Sequence, residues 1–367
     1  MFDVYDVHDT AAGSMLTQKT IDGRETVIKQ DMPTHKEAMQ LVLAAMLDEE
    51  KGALKNINEI SAVGHRVLHS AEDFNSSVVI DDEVIRICEK NAVFGPLHMP
   101  GNIACIKSCR EVMKGVPMVA VFDTTFHSTM PAKAYMYGIP YEVYEQHKIR
   151  KYGFHGTSHR FVSKRFFELQ GINPEGTKII VCHLGNGSSL CAVKDGKCFD
   201  TSMGLSPLEG LVMGTRCGDI DPYIPLYICK SQNKTPDEVN EILNKKSGMY
   251  GMCGYSDNRD VETLYGVEEN ATNALNAYVH SIIRFIGSYI AVLGGVDALV
   301  FTAGIGENGS LLRSLVLKRL SYLGITVDEE ANSRRGSITE ISTIVSILLL
   351  TLFDCFLISV PVQFNDL

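Results

Sequence analysis

The spacing of hydrophobic positions changes several times along the chain, and the changes predict alternating strands and helices. Residues 1 to 29 read as short extended pieces separated by polar turns. Thr34-His35-Lys36-Glu37 then has the form of a capping box, in which a Thr and a Glu three residues later satisfy backbone N–H groups at a helix start. Behind it Ala38, Leu41, Val42, Ala45 and Met46 recur at helical spacing. Ile60 to His69 and Pro117 to Phe126 are apolar and β-branched enough for buried strands. From about Tyr135 a second series begins. Ile179 to His183 reads as a strand, Gly185-Asn186-Gly187 as a tight turn, and Ser188 to Val193 as the returning strand, with Asp195-Gly196 making another hairpin turn. Thr235-Pro236-Asp237-Glu238 opens a helix with a capping box and Pro at its first position. A long helix from Ala271 to Leu293 stops at Gly294-Gly295. It is followed by a buried strand, Val296 to Thr302, then by a Gly-rich turn and a further helix. No internal repeat is evident, and the mixture predicts an α/β protein with a boundary between residues 125 and 150.

One stretch stands outside this scheme. Ile344 to Val362 is almost wholly apolar, carries one acid, Asp354, and is just long enough to cross a bilayer. A buried strand or an ill-fitting tail is the plainer expectation.

Composition narrows the function. The 367 residues suffice for two domains, and the 45% hydrophobic and 21% charged fractions exclude a disordered or coiled-coil chain. With 34 basic and 44 acidic residues the net charge is −10, which argues against nucleic acid or an anionic membrane as partner. A small phosphorylated ligand stays compatible, because a few arginines and backbone N–H groups set the local field. The ten cysteines form no CxxC pair, although Cys105 and Cys109 sit four apart on an expected helix. Reduced thiols in the cytoplasm are expected, and zinc is not, since metal-ligand spacings are missing.

Four loops carry the candidate chemistry. Tyr152 to His159 (YGFHGTSH) crowds two histidines and two hydroxyls around glycines, as a loop holding an anion requires. His183 to Ser189 (HLGNGSS) joins two strands through glycines that let a ligand approach the backbone, and its N–H groups can form an anion nest. The pattern is also that of an ordinary hairpin turn. Gly204 to Pro222 holds Arg216 between two glycines in a polar loop, with Asp219 and Asp221 nearby; a guanidinium forks onto carboxylate or phosphoryl oxygens, and a loop salt bridge is the plainer alternative. Gly304 to Asn308 follows a buried strand, where open α/β sheets bind nucleotides, yet it is neither a GxGxxG nor a P-loop. His65, His69, His98 and His127 are read as structural.

Taken in order, GHRVLH, GPLHMPGN, FDTTFHSTMP, YGFHGTSH, HLGNGSS, GLVMGTRCGDIDP, SDNRDVE and FTAGIGEN resemble the acetate kinase family over about residues 20 to 343. That resemblance implies the two-domain α/β fold shared by sugar kinases and actin. It implies an acyl-substrate domain over residues 1–127, a nucleotide-binding domain over 128–343 and an atypical apolar tail over 344–367. It further implies a cytoplasmic homodimer that phosphorylates acetate from ATP with Mg²⁺, or Mn²⁺ in its place. Propionate or butyrate is the alternative acid. By motif, Arg66 and Arg216 would hold acetate and the transferring phosphoryl group, with Asp123 beside them and His155 and His183 donating to phosphoryl oxygens. Asn186 and Gly187 would form the phosphate turn, while Asp257, Asn258, Arg259, Gly304, Ile305 and Asn308 would line the nucleotide site. Leu68, Leu97 and Pro207 would wall the acetate methyl group. The family's N-terminal Asn-x-Gly-Ser-Ser-Ser loop and its C-terminal Glu-containing segment have no counterpart in this sequence. The expected fold is therefore truncated at the N-terminus and altered at the C-terminus. Metal ligands are left unassigned, and a catalytically impaired nucleotide-binding remnant stands as a further alternative.

Overall fold

The computed structural model describes residues 4–10, 13–96, 98–336, 338–342 and 348–351. Leu97, and most of the apolar run from Ile344 to Val362, lie outside the described residues. The chain divides into two units at Phe122/Asp123.

The first unit opens with an antiparallel meander of β1 (Val4–Thr10), β2 (Gly13–Lys19) and β3 (Glu25–Lys29). Its second turn is closed by Asp22, which accepts from Thr20 and from Arg24 Nε, and by Gly23, whose φ of +86° a side chain would resist. The central strand buries Leu16 and also Gln18, whose amide donates to the Lys51 carbonyl at 2.7 Å. Helix α1 (His35–Met46) begins where the capping signal placed it, with Thr34 accepting from the Lys36 N–H. A second sheet has the order β4 (Val63–Val67), β6 (Met118–Phe122), β5 (Val78–Val79), with β4 and β6 parallel. Helices α2 (Asp82–Lys90) and α3 (Met99–Val112) make the crossover, and α3 packs on both α1 and β4. The two strands expected here are shorter than their apolar runs. Ile60 closes a 3₁₀ turn onto Ile57, Leu68 N–H turns to the Asn102 side chain, and Thr125–Thr129 coils into a 3₁₀ turn.

The second unit is built on a six-stranded mixed sheet. Its strands are β7 (Lys178–Leu184), β8 (Ser188–Lys194), β9 (Lys197–Thr201), β10 (Ala298–Thr302), β11 (Thr339–Glu340) and β12 (Leu348–Thr351), in the order β11-β12-β10-β7-β8-β9. Strand alternation splits its core in two. Ile179, Val181, Cys191 and Val193 face Val162, Phe166 and Phe167 of α4 (Gly156–Gln170). Ile180, Cys182, Leu190 and Ala192 face the opposite layer. That layer contains α5 (Asn258–Leu264) and the long α6 (Glu269–Leu293), which buries Leu275, Tyr278, Ile282, Ile286 and Tyr289. With both faces covered, β7 and β10 read as continuous apolar runs, and each fully buried Leu or Ile contributes about 1.5–3 kcal/mol. Helix α6 ends on Gly294 in the left-handed region, as its Gly-Gly pair predicts.

One expectation needs correction. The segment after β10 is not a turn but a short helix, α7 (Ala303–Asn308), followed by α8 (Ser310–Arg319). Ala303 takes a φ of +64° at the junction, so the chain folds directly back onto the sheet. The apolar run of the tail is described only at β12, which pairs parallel with β10 in register Ala298↔Leu348. No helix among the described residues is long and apolar enough to cross a membrane.

Candidate active site

The parallel strands β7 and β10 end side by side, and their C-terminal ends carry the candidate loops. At the end of β7, Gly185 N–H bonds the Gly187 carbonyl at 3.2 Å, closing the expected turn. Arg216 comes from a loop closed by Met213 N–H to Arg216 O at 3.1 Å and tied to the β7–β8 turn by Gly214 N–H to Asn186 O at 3.1 Å. A methyl on Gly214 would collide with the Asn186 side chain, so the absence of a side chain there lets the two loops meet. Asp219 accepts from Gly210 N–H and pairs with Arg284, which makes it a brace of this loop.

His155 stands at the N-terminal boundary of α4 in the left-handed region, φ +57°. The next residue must be glycine, because its N–H bonds the Asp123 carbonyl at 2.9 Å and a methyl would strike that carbonyl. The histidines then assemble. The His155 ring stacks on His183 with centroids 4.2 Å apart, and His183 Nδ1 bonds Ser158 Oγ at 2.8 Å. Ser189 Oγ lies 2.8 Å from His155 Nδ1 and 2.8 Å from His159 Nε2. Above the turn, a Cβ at Gly187 would sit 3.2 Å from Arg216 Nη1 and 3.4 Å from His155 Nε2. A guanidinium and an imidazole thus converge on a backbone position that has no side chain.

The Ser189 bridge sets a proton order. Burial and the neighbouring His127 and His183 push His159 well below the ordinary imidazole range, so it is neutral. Its Nδ1 has no partner in the described structure and suffers least as a bare lone pair. With His159 Nε2–H donating to Ser189, the Ser189 hydroxyl is left to donate to His155 Nδ1, an arrangement in which a neutral His155 ring carries its proton on Nε2, the atom facing Gly187. His127 differs. Burial pulls its pKa down, but the neighbouring Cys198 and the Phe154 carbonyl, 2.9 Å from Nε2, carry it above the ordinary value.

The remaining sequence candidates fall into three groups. Pro207 offers its carbonyl to Arg216 Nη1 at 3.0 Å and so positions the guanidinium. Asp257 caps α5 and chelates Arg259 through Nε and Nη2, which holds its carboxyl down at about 2; Arg259 is exposed. Asn258 is buried, donates to Glu262 at 2.9 Å and keeps Oδ1 unpartnered among the described residues. Gly304, Ile305 and Asn308 lie in α7, with Asn308 donating to the Gly304 carbonyl at 2.9 Å. In the first unit, Arg66 is exposed on β4, while Leu68 is buried and packed so closely on Gly95 that a methyl there would overlap it. Sequence reasoning missed Ser189 and His159 as supports of His155. Both stand in the quoted motifs, but nothing in one dimension shows that a strand residue bridges two rings of a helix.

Comparison with known proteins is consistent over most of the chain. The model of the acetokinase family matches residues 7–353. An acetate kinase of Clostridium novyi is 53% identical over 333 residues, covering 90% of this chain and 83% of its own. Among solved structures, acetate kinase from Porphyromonas gingivalis superposes with a TM-score of 0.90 at 38% identity, over 96% of this chain and 90% of its own. A propionate kinase from Francisella tularensis gives 0.88 at 37% identity, over 95% and 88%.

Proposed function

The chain belongs to the acetokinase family, and from that premise we propose that it transfers the γ-phosphoryl group of ATP to acetate, reversibly, giving acetyl phosphate and ADP. A carboxylate oxygen of acetate attacks phosphorus in line as the bond to the ADP oxygen breaks. Acetate is already ionised at neutral pH, so no strong general base is needed, and alignment and charge neutralisation carry the catalysis. The observation that supports this best is the convergence of Arg216 and His155 Nε2 on Gly187.

In this reading Arg216 and the His155 Nε2–H neutralise the equatorial phosphoryl oxygens, with His183 as a second imidazole behind them. Asn186 and Gly187 hold the phosphate chain, and Asp257, Asn258, Arg259, Gly304, Ile305 and Asn308 hold the rest of the nucleotide. Arg66 takes the acetate carboxylate, and Leu68 and Pro207 bound the methyl group. Mg²⁺ suits the group because Asp123, 1% exposed, offers a carboxylate, and this ion binds one or two carboxylates together with substrate phosphates. Asp123 would hold it, and Mn²⁺, which favours the same oxygen donors, would substitute. Bound with the nucleotide, the ion would offset negative charge on the phosphate oxygens. We assign the enzyme to the cytoplasm as a homodimer; the described cysteines, all free, suit a reducing compartment.

The test is acetyl hydroxamate formation by the purified chain, which requires acetate, ATP and Mg²⁺ together. The likeness to a propionate kinase keeps the longer acid as the second reading. The tight seat of Leu68 favours acetate, and one methylene is worth about 10–200-fold in kcat/KM. We expect acetate to exceed propionate by that order and Leu68→Ala to narrow the gap. Equal kcat/KM for the two acids would remove Leu68 as the selecting residue.

A further inference from the structure

Sequence spacing argued against a metal centre because no two cysteines lie in a CxxC arrangement. The fold supplies the missing partner from a distant strand. Cys105 and Cys109 lie one helical turn apart on the same side of α3, as the i, i+4 spacing requires. Helix α3 packs on β4, which carries His65, and the ligand atoms of His65, Cys105 and Cys109 all lie within 4.8 Å of one another. Neither cysteine belongs to any of the loops assigned to phosphoryl transfer.

We propose that His65, Cys105 and Cys109 form a binding site for a zinc-class divalent ion, with His35 as the fourth donor. Two thiolates and an imidazole are the soft and borderline donors that select such an ion over Mg²⁺. A second, independent observation points the same way. His65 is 93% buried and its Nε2 has no hydrogen-bond partner among the described residues. Tetrahedral bonds of about 2.3 Å to sulfur and 2.1 Å to nitrogen put donor atoms some 3.5–3.8 Å apart, so closure onto an ion needs shifts of the order of 1 Å. Cys109 is fully buried while Cys105 is partly exposed, which leaves a way in. His35, exposed at the start of α1, has its Nε2 3.6 Å from where a Gly101 Cβ would stand, one turn before Cys105.

A second group, His127, Cys191 and Cys198, has the same composition and serves as the internal control. All three of its residues are buried, and His127 is occupied by the Phe154 carbonyl and Cys198.

The full chain, stripped with a chelator, is titrated with Co²⁺ as an optical probe of tetrahedral thiolate ligation. One equivalent should produce thiolate-to-cobalt charge-transfer absorption that Zn²⁺ abolishes. Cys105→Ala and Cys109→Ala should lose it, and Cys198→Ala should keep it. Because a buried variant can misfold, alkylation of the native wild-type chain is mapped by mass spectrometry with and without Zn²⁺. Zinc should slow modification of Cys105 at least about tenfold and leave Cys229, in the second unit, unchanged. No cobalt absorption in the wild type, absorption that survives in Cys105→Ala, or equal alkylation of Cys105 with and without zinc would each overturn the proposal.

Discussion

The two regions assigned to ATP are built in opposite ways. Around Gly187, His155 and His183 stack, Ser189 and Ser158 fix their ring nitrogens, and Pro207 holds Arg216. At the start of α5, Asp257 and Arg259 satisfy each other in solvent. Groups facing the transferred phosphoryl must be in place before charge develops, since a donor that reorganises during the reaction loses much of its effect. Groups that hold a distant part of the nucleotide can be looser, because they bind ground state and transition state alike.

The largest effect expected from this contrast is at Arg216. Arg216→Ala should lower kcat by about 10²–10³-fold, the scale of a lost oxyanion donor, in a protein with an unchanged thermal transition. Next comes the bridge. Ser189→Ala removes the bond that holds the His155 proton on Nε2, and should reduce kcat roughly tenfold with little change in KM for either substrate.

The pH dependence of stability separates the regions further. The folded pKa of His159 is depressed, so the unfolded chain takes a proton there first. Its contribution falls as pH drops below about 6.5, by at most about 1.4 kcal/mol per pH unit for this one group. Urea unfolding at pH 7 and pH 5 should show that loss in the wild type and less of it in His159→Gln. Asp257 is depressed as an acid, so its contribution is present above about pH 4 and fades only as pH falls toward 2. The smallest effect is at the exposed corner itself. Arg259→Ala should raise KM for ATP a few-fold, leave kcat alone, and change stability within about 0.5 kcal/mol.

How much of this the sequence disclosed depends on the range of the interaction involved. Local chemistry was legible: the Thr235 capping box, the Gly294 helix stop and the turn at Gly185 to Gly187 all stand where the pattern put them. Ends decided by a distant partner were not. The strand expected to run to Phe126 stops at Phe122, and the Asp123 carbonyl is taken by Gly156 N–H, 33 residues away. The turn expected after Thr302 is a helix entered through Ala303 in the left-handed region, a conformation that residue type seldom takes and the sequence does not announce. In the candidate site, the loops carrying His155, His183 and Arg216 were visible as clusters of glycine and donors. The Ser189 bridge and the fit of Asn186 against Gly214 arise only when strand and loop meet in space.

The most direct measurement is single-turnover formation of acetyl phosphate by rapid chemical quench, with enzyme in excess over ATP at saturating acetate, in wild type and Arg216→Ala. If Arg216 acts on the phosphoryl group in flight, the single-turnover rate should fall by about the same 10²–10³-fold as kcat. An unchanged single-turnover rate beside a reduced kcat would place Arg216 in product release and contradict the assignment of this region to the chemical step.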